Sequence, residues 1–426
     1  MEIFENPNSE LWDSLLKRPT PDYAALENDV KAIFQDVKVR GDESVLKYTK
    51  LFDGIDLNHM KVNPKDLENA SSSISKELKT AIDNAYDNIY KFHKAQKQEE
   101  LKVETQPGVT CWQASKPIQK VGLYIPGGTA PLFSSILMLG IPAKIAGCKE
   151  VVLVTPPQKT GKVHPAMLYA AQKCGISEFY QVGGIQAIAA LTFGTESIPK
   201  VYKIFGPGNQ YVTVAKQVAT TYDVSIDMPA GPSELLVLAD DTANPEYVAS
   251  DLLSQAEHGH DSQVILVTTS KEFALATQKA LNIQLEHLPR KTIANQAINH
   301  SKLIVIKDMS TAIEITNLYS PEHLIVCVKN EMEVVNQIEN AGSVFIGNYT
   351  PESAGDYASG TNHTLPTNAY ARQYSGVNLD AFNKKITYQK ISPEGLKKLG
   401  PHIEIMAETE ELQAHKNAIS VRLKDI

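Results

Sequence analysis

The sequence has no apolar run long enough to cross a bilayer. Its most apolar stretch, Leu132 to Ala143, is shorter than the roughly 20 residues of a spanning helix and is followed by Lys144. Cysteine is scarce: Cys111, Cys148, Cys174 and Cys327 are scattered with no CxxC spacing, which fits a reducing cytoplasmic compartment. Cys148, between a helical and a strand pattern, reads as a packing residue rather than a nucleophile. No Lys/Arg run occurs, and the net charge is −8. That balance argues against nucleic acid or an anionic membrane as the main partner. The first residues, MEIFENPNSELW, lack the charged-then-apolar layout of a signal peptide. There is no repeat of solenoid length, no low-complexity tract, and no GxGxxG to mark a dinucleotide site.

What is present is a globular composition, 42% hydrophobic over 426 residues, which predicts two or more domains. The middle alternates short β-branched runs with helical periods. VGLYIPGG (121–128), VVLV (151–154), FYQV (179–182) and VYKIF (201–205) are separated by LFSSILMLGIPAKIAG, PAMLYAAQKCG and IQAIAALTFG. The helical YVTVAKQVA follows the last of them. This is the signature of βαβ units and a parallel sheet. Gly127, Gly128, Gly183, Gly184, Gly206 and Gly208 follow these strands. There a glycine lets a backbone approach a ligand, or serves as a plain turn residue.

A second series follows MPAGPSE: LLVLA (235–239), a helix from Pro245 to about Glu257, QVILVTT (263–269), LIVI (303–306), LIVCV (324–328) and SVFIG (343–347). Mostly helices precede the first series, over Asp29 to Leu51 and Lys76 to Gln96. The expected organisation is a small N-terminal segment (1–20), a discontinuous α/β domain (21–123 with 235–377), an inserted α/β domain (124–234) and a small C-terminal piece (378–426). That last piece reads as polar helices broken at Gly400-Pro401. It is too small and polar to stand alone, so it is expected to dock elsewhere, on a partner subunit for example.

Four polar islands interrupt the apolar pattern. Gln255 and His258 are three apart at a helix end, so they share one face and converge on one point. Imidazole suits zinc, and an amide oxygen is a weaker ligand. Taken alone, the pair reads more simply as a polar helix end with His near the dipole's negative pole. Glu322-His323 sits at the mouth of a strand, after a helix that ends before Pro321, and is either an acid/base pair or a solvated loop. The run from Pro351 to Pro366 is read as a long polar loop, with Asp356 and His363 as metal or substrate ligands, or as a surface loop. Glu410, Glu411 and His415 lie close along a helix, where an exposed histidine is the plainer reading. Together the four islands suggest a metal site beside an acid/base pair.

At this point the residues amount to a resemblance. The segments VGLYIPGG, GGIQAIAAL, IFGPGNQYV, DMPAGPSELLVLAD, DLLSQAEHGHDSQ, SPEHL, TPESAGDYASGTNHTLPT and AHKNAISVR are similar to those of the histidinol dehydrogenase family. They cover about 107 to 377 densely, with the tail around 405 to 422. The resemblance implies two incomplete Rossmann-like α/β domains with mostly parallel sheets and small terminal segments. It implies oxidation of L-histidinol to L-histidine with two NAD+ and one zinc per subunit. It implies Gln255, His258, Asp356 and His415 as zinc ligands, which also contact substrate, and Glu322 and His323 as the catalytic pair. Ser233, His323 and Glu410 would contact histidinol, and Tyr124, Gln186 and Asn209 would contact NAD. An intertwined homodimer is implied too, in which His415 and Glu410 complete the partner's site. The rival expectations are a related dehydrogenase for another alcohol, a zinc hydrolase using Glu322, and a silent metal protein.

Overall fold

The computed structural model describes residues 1–19, 23–127, 130–159, 161–229 and 231–426. Gly128, one of the strand-end glycines named above, lies outside the described residues. The chain divides into a larger unit, Met1–Gln96 with Ile118–Ala381, and a smaller one, Lys97–Pro117 with Phe382–Ile426.

In the larger unit the first βα series forms a five-stranded parallel sheet. Its order is Glu178–Gln181, Glu150–Thr155, Lys120–Tyr124, Lys203–Phe205 and Ser225–Ile226. The second series forms a six-stranded parallel sheet, ordered Glu2–Glu5, Lys302–Val305, Gln263–Thr268, Glu234–Ala239, His323–Cys327 and Ser343–Ile346. Helices cover both sheets, so strands Glu234–Ala239 and Gln263–Thr268 are buried along their whole length. That is why they read as continuous apolar runs rather than alternating ones. Each Val, Leu or Ile taken out of water there contributes ~1.5–3 kcal/mol.

Local chemistry sets the helix starts. Pro245 opens Pro245–Ala256 behind Asn244, whose side chain accepts from the Glu246 N–H. Proline costs nothing at that position, because the first-turn N–H has no intrahelical acceptor. The run expected as a long loop after SVFIG instead begins with a short helix, Glu352–Tyr357. Proline at 351 blocks helix before it and permits helix after it.

The N-terminal segment does not stand apart. Glu2–Glu5 is an edge strand parallel to Lys302–Val305, and Met1 and Ile3 pack on the core beneath that sheet. Leu15 and Leu16 are buried.

The smaller unit differs from the expected row of polar helices. Asn383–Ile391 is a strand, antiparallel to Val109–Pro117, which pairs in turn with Leu101–Gln106. Residues 97–117 therefore belong with the tail rather than with the preceding helices. Trp112 stacks on its cross-strand partner Tyr388 with ring centroids 5.1 Å apart, the kind of pair that holds a sheet in register. The helix Pro393–Thr409 runs through Pro401 without breaking. A side chain at Gly400 would meet Ile419 and Leu423 at 3.1 Å. The missing Cβ thus lets helix Gln413–Leu423 pack closely, which offsets the bond Pro401 cannot make. Among the described residues, no helix is long and apolar enough to cross a membrane.

Candidate active site

A cleft of about 350 Å³ opens between the two parallel sheets of the larger unit. One wall, Pro126 and Pro207 to Gln210, follows the carboxyl ends of strands in the five-stranded sheet. The other wall, with Ser233, His258, Ser262, Glu322 and His323, stands before or at the first residue of strands in the six-stranded sheet. The cleft therefore lies beyond strand carboxyl ends only in the first sheet. In the second, the amino edge faces the cleft, because Pro245–Ala256 delivers its carboxyl end, with Gln255 and His258, to the start of Gln263–Thr268.

His323 is the best-determined side chain here. It is 3% exposed, and its Nδ1 lies 3.2 Å from the main-chain carbonyl of Glu234. A carbonyl only accepts, so Nδ1 carries the proton and donates. The remaining nitrogen, Nε2, has no hydrogen-bond partner, and Asp356 Oδ1 is 3.6 Å away. Glu322, one residue back, is also buried, and its Oε2 accepts from the Glu234 N–H at 2.8 Å. The two main-chain polar groups of one residue thus hold both side chains. Gly342 is required beside them, since a Cβ there would meet the Glu322 carbonyl at 2.5 Å.

Glu352, which the sequence reading did not single out, is 1% exposed and lies 3.7 Å from His323 Nδ1. Burial pushes its carboxyl well up from the ordinary range. It shares a helix face with Asp356 four residues on. Its oxygens face the Gln255 side chain, so the amide must present its NH2 to Glu352, 3.1 Å from Oε2 and nearer to Oε1. The amide oxygen then stands 3.4 Å from His258 Nδ1. The only advance signal for Glu352 was its place in TPESAGDY.

Electrostatics here are dominated by carboxylates. Burial lowers the His258 pKa and favours the neutral ring. Despite burial, Asp356 is held below its ordinary value by His323, His363 and His258. Burial works to keep His323 neutral, but with no cation present Glu352, Glu322 and Asp356 outweigh it and raise its pKa, so the neutral ring that a base needs requires a cation to take up that negative charge. Glu322, Glu352 and Asp356 crowd one imidazole, and a divalent cation there would favour their ionised forms. His323, Glu352 and Asp356 present ligand atoms within 4.8 Å of one another. The 3.4 Å between the Gln255 amide oxygen and His258 Nδ1 is about the separation of two atoms bound to one tetrahedral zinc at ~2.1 Å. Gln255 and His258 thus have the spacing of two ligands on one cation, and Asp356 converges with His323 and Glu352 beside them.

His363, read as a supporting residue, donates from Nδ1 to the Asp356 carbonyl at 2.8 Å, and its Nε2 lies 3.0 Å from Ser135 Oγ. Tyr124 is buried at the end of strand Lys120–Tyr124, where its hydroxyl accepts from the Gly184 N–H at 3.3 Å. Burial pushes that phenol up to about 12. Gln186 is fully buried with neither amide atom bonded. Asn209 lines the cleft and caps helix Gln210–Ala219, accepting from Tyr211 and Val212. Glu410 and His415 belong to the smaller unit, both exposed, at the end of Pro393–Thr409 and in the first turn of Gln413–Leu423. Cys148 is half-buried, and burial pushes its thiol up to about 12, which keeps it a poor nucleophile.

A bare imidazole nitrogen and a clamped carboxylate in a cleft between two parallel sheets define an α/β enzyme equipped for proton transfer. The sequence profile of histidinol dehydrogenase matches residues 16–423. Histidinol dehydrogenase of Bacteroides thetaiotaomicron is 57% identical over 426 residues, covering all of both chains. That of Vibrio parahaemolyticus is 50% identical over 427 residues, covering all of this chain and 98% of its own. The crystal structure of histidinol dehydrogenase from Elizabethkingia anophelis superposes with a TM-score of 0.97 at 54% identity, covering 100% of this chain and 98% of that one. The chain belongs to the histidinol dehydrogenase family, oxidoreductases of histidine biosynthesis.

Proposed function

We propose that the protein oxidises L-histidinol through L-histidinal to L-histidine, reducing two NAD+, with one zinc per subunit. The observation that carries this reading is the His323 tautomer. With Nδ1–H committed to the Glu234 carbonyl, Nε2 of the neutral ring would take the hydroxyl proton as hydride leaves the carbinol carbon for NAD+. Glu322 binds the Glu234 N–H through Oε2 only, which leaves Oε1 to take a proton from the water that hydrates the aldehyde. His323 then serves a second time, on the hydrate, and the acid results. Zinc held by Gln255, His258, Asp356 and His415 would supply a template for the imidazole and amine of histidinol. Ser233, at the cleft wall, is assigned to substrate.

Tyr124, Gln186 and Asn209 are assigned to NAD+. The unbonded Gln186 amide supports this, since buried polar atoms rarely go without a partner. His415 and Glu410 are assigned to the site of a second copy, which gives their exposed positions a use. A cytoplasmic location goes with this reading and with four free cysteines. The proposed domains of the sequence reading change in three places: the N-terminal segment joins the six-stranded sheet, residues 30–60 pack with the five-stranded sheet, and 97–117 moves to the C-terminal unit.

The test is full turnover of zinc-loaded protein on limiting L-histidinol with excess NAD+. Two NADH per histidine are expected. No NADH from zinc-loaded protein would overturn the reading.

A further inference from the structure

Arg18 lies in the N-terminal segment, for which the acid/base chemistry has no use so far. Its guanidinium grips the Glu234 carboxylate with two bonds, Nε to Oε1 at 2.6 Å and Nη2 to Oε2 at 2.8 Å. Nη2 also donates to the Tyr319 carbonyl at 2.6 Å, and the guanidinium carbon sits 4.0 Å over the Tyr319 ring. The Asn368 N–H completes the carboxylate's partners at 2.6 Å. The segment itself is anchored. Leu16 is buried in the core, and the Lys17 carbonyl accepts from Gln263, whose other amide atom takes the Tyr319 hydroxyl. Glu234 is 2% exposed and the Arg18 side chain 12%.

Glu234 is also the residue whose N–H holds Glu322 and whose carbonyl holds His323 Nδ1. A two-point grip on its side chain limits rotation about its backbone, which a single bond would not do. We propose that Arg18 and Glu234 form a positioning pair: Arg18 clamps the Glu234 side chain so that its main-chain N–H and C=O hold Glu322 and the His323 tautomer. This rests on the acid/base roles proposed above. Neither residue touches substrate; both act through the two that do. A small loss of alignment at a proton-transfer site costs rate rather than affinity, so the pair's mark is on kcat.

The experiment compares Arg18→Met, Arg18→Lys and the double variant Arg18→Met with Glu234→Gln, as zinc-loaded full chains. In Arg18→Met we expect kcat to fall ~10–100-fold, with histidinol KM and bound zinc changed less than about threefold. Arg18→Lys, with charge but no fork, should recover only part of kcat. The double variant removes both buried charges, so it reports even if Arg18→Met fails to fold. Its kcat should remain low. A second readout needs no turnover: 15N spectra of labelled histidine should show His323 protonated on Nδ1 in the parent and mixed between nitrogens in the variants. Wild-type kcat in folded variants, or an unchanged His323 tautomer, would overturn the proposal. Absence of histidinol oxidation in the parent would instead sink the proposed function and leave the spectra to decide the pair.

Discussion

The Nδ1–H of His323 donates to the main-chain carbonyl of Glu234, 3.2 Å away, while the N–H of that same Glu234 donates to Glu322. The proposed base and the proposed water-activating carboxylate are therefore set by one peptide unit on each side of a single residue. The arrangement separates their roles. His323→Ala should lower kcat for both oxidations by ~10²–10⁴-fold with little change in histidinol KM. Glu322→Gln keeps an oxygen for the Glu234 N–H but loses the proton acceptor, so aldehyde oxidation should fall further than alcohol oxidation. Single-turnover assays from histidinol and from histidinal distinguish the two, and equal losses would remove Glu322 from water activation.

Glu352 orients the Gln255 amide. In Glu352→Gln an amide faces an amide, and Gln255 is free to turn its NH2 toward His258, where it cannot bind a cation. Outer contacts of this kind typically carry ~10–100-fold in metal affinity. Competition with a chromophoric chelator should show a zinc affinity weakened by about that much. An unchanged affinity would mean that another contact sets the amide.

Asp251 lies on the helix that carries Gln255, 8% exposed, and burial pushes its carboxyl up to about 7. Between pH 3.8 and about 7 the folded protein holds this proton and the unfolded chain does not, so stability falls as pH rises through that window. Asp251→Asn should therefore stabilise the protein, by an amount that grows with pH and levels off above about 7. The full shift corresponds to about 4 kcal/mol as an upper figure. Urea titrations at pH 5 and pH 8 check it, and a gain equal at both pH values would refute it.

Much of the fold was legible because burial on both faces leaves plain marks. Runs such as LLVLA and VILV (264–267) are apolar at every position, and each lies in a strand. Strand Asn383–Ile391 was missed for the opposite reason: it is mostly exposed, and its partner Val109–Pro117 is far away in sequence. The Glu2–Glu5 edge strand is four residues long and half polar, too short to show a period.

Within the candidate site, spacing offered Gln255 with His258 as a ligand pair or a polar helix end, and adjacency offered Glu322 with His323 as an acid/base pair or a solvated loop. Glu352 passed unnoticed because a glutamate in a polar motif looks solvated, and only packing shows it buried. Arg18 and Glu234 are 216 residues apart, and no local pattern joins them.

The sequence alone determined the two parallel βα series, the helix starts, and which imidazoles and carboxylates were available, since these follow from periodicity, capping and residue type; the family followed from the resemblance of its motifs. Tertiary structure decided that the six-stranded sheet turns its amino edge to the cleft, which nitrogen of His323 is bare, and that Glu234 ties the N-terminal segment to the acid/base pair. Those outcomes depend on which main-chain groups meet across hundreds of residues, and backbone carbonyls and amides are the same in every sequence.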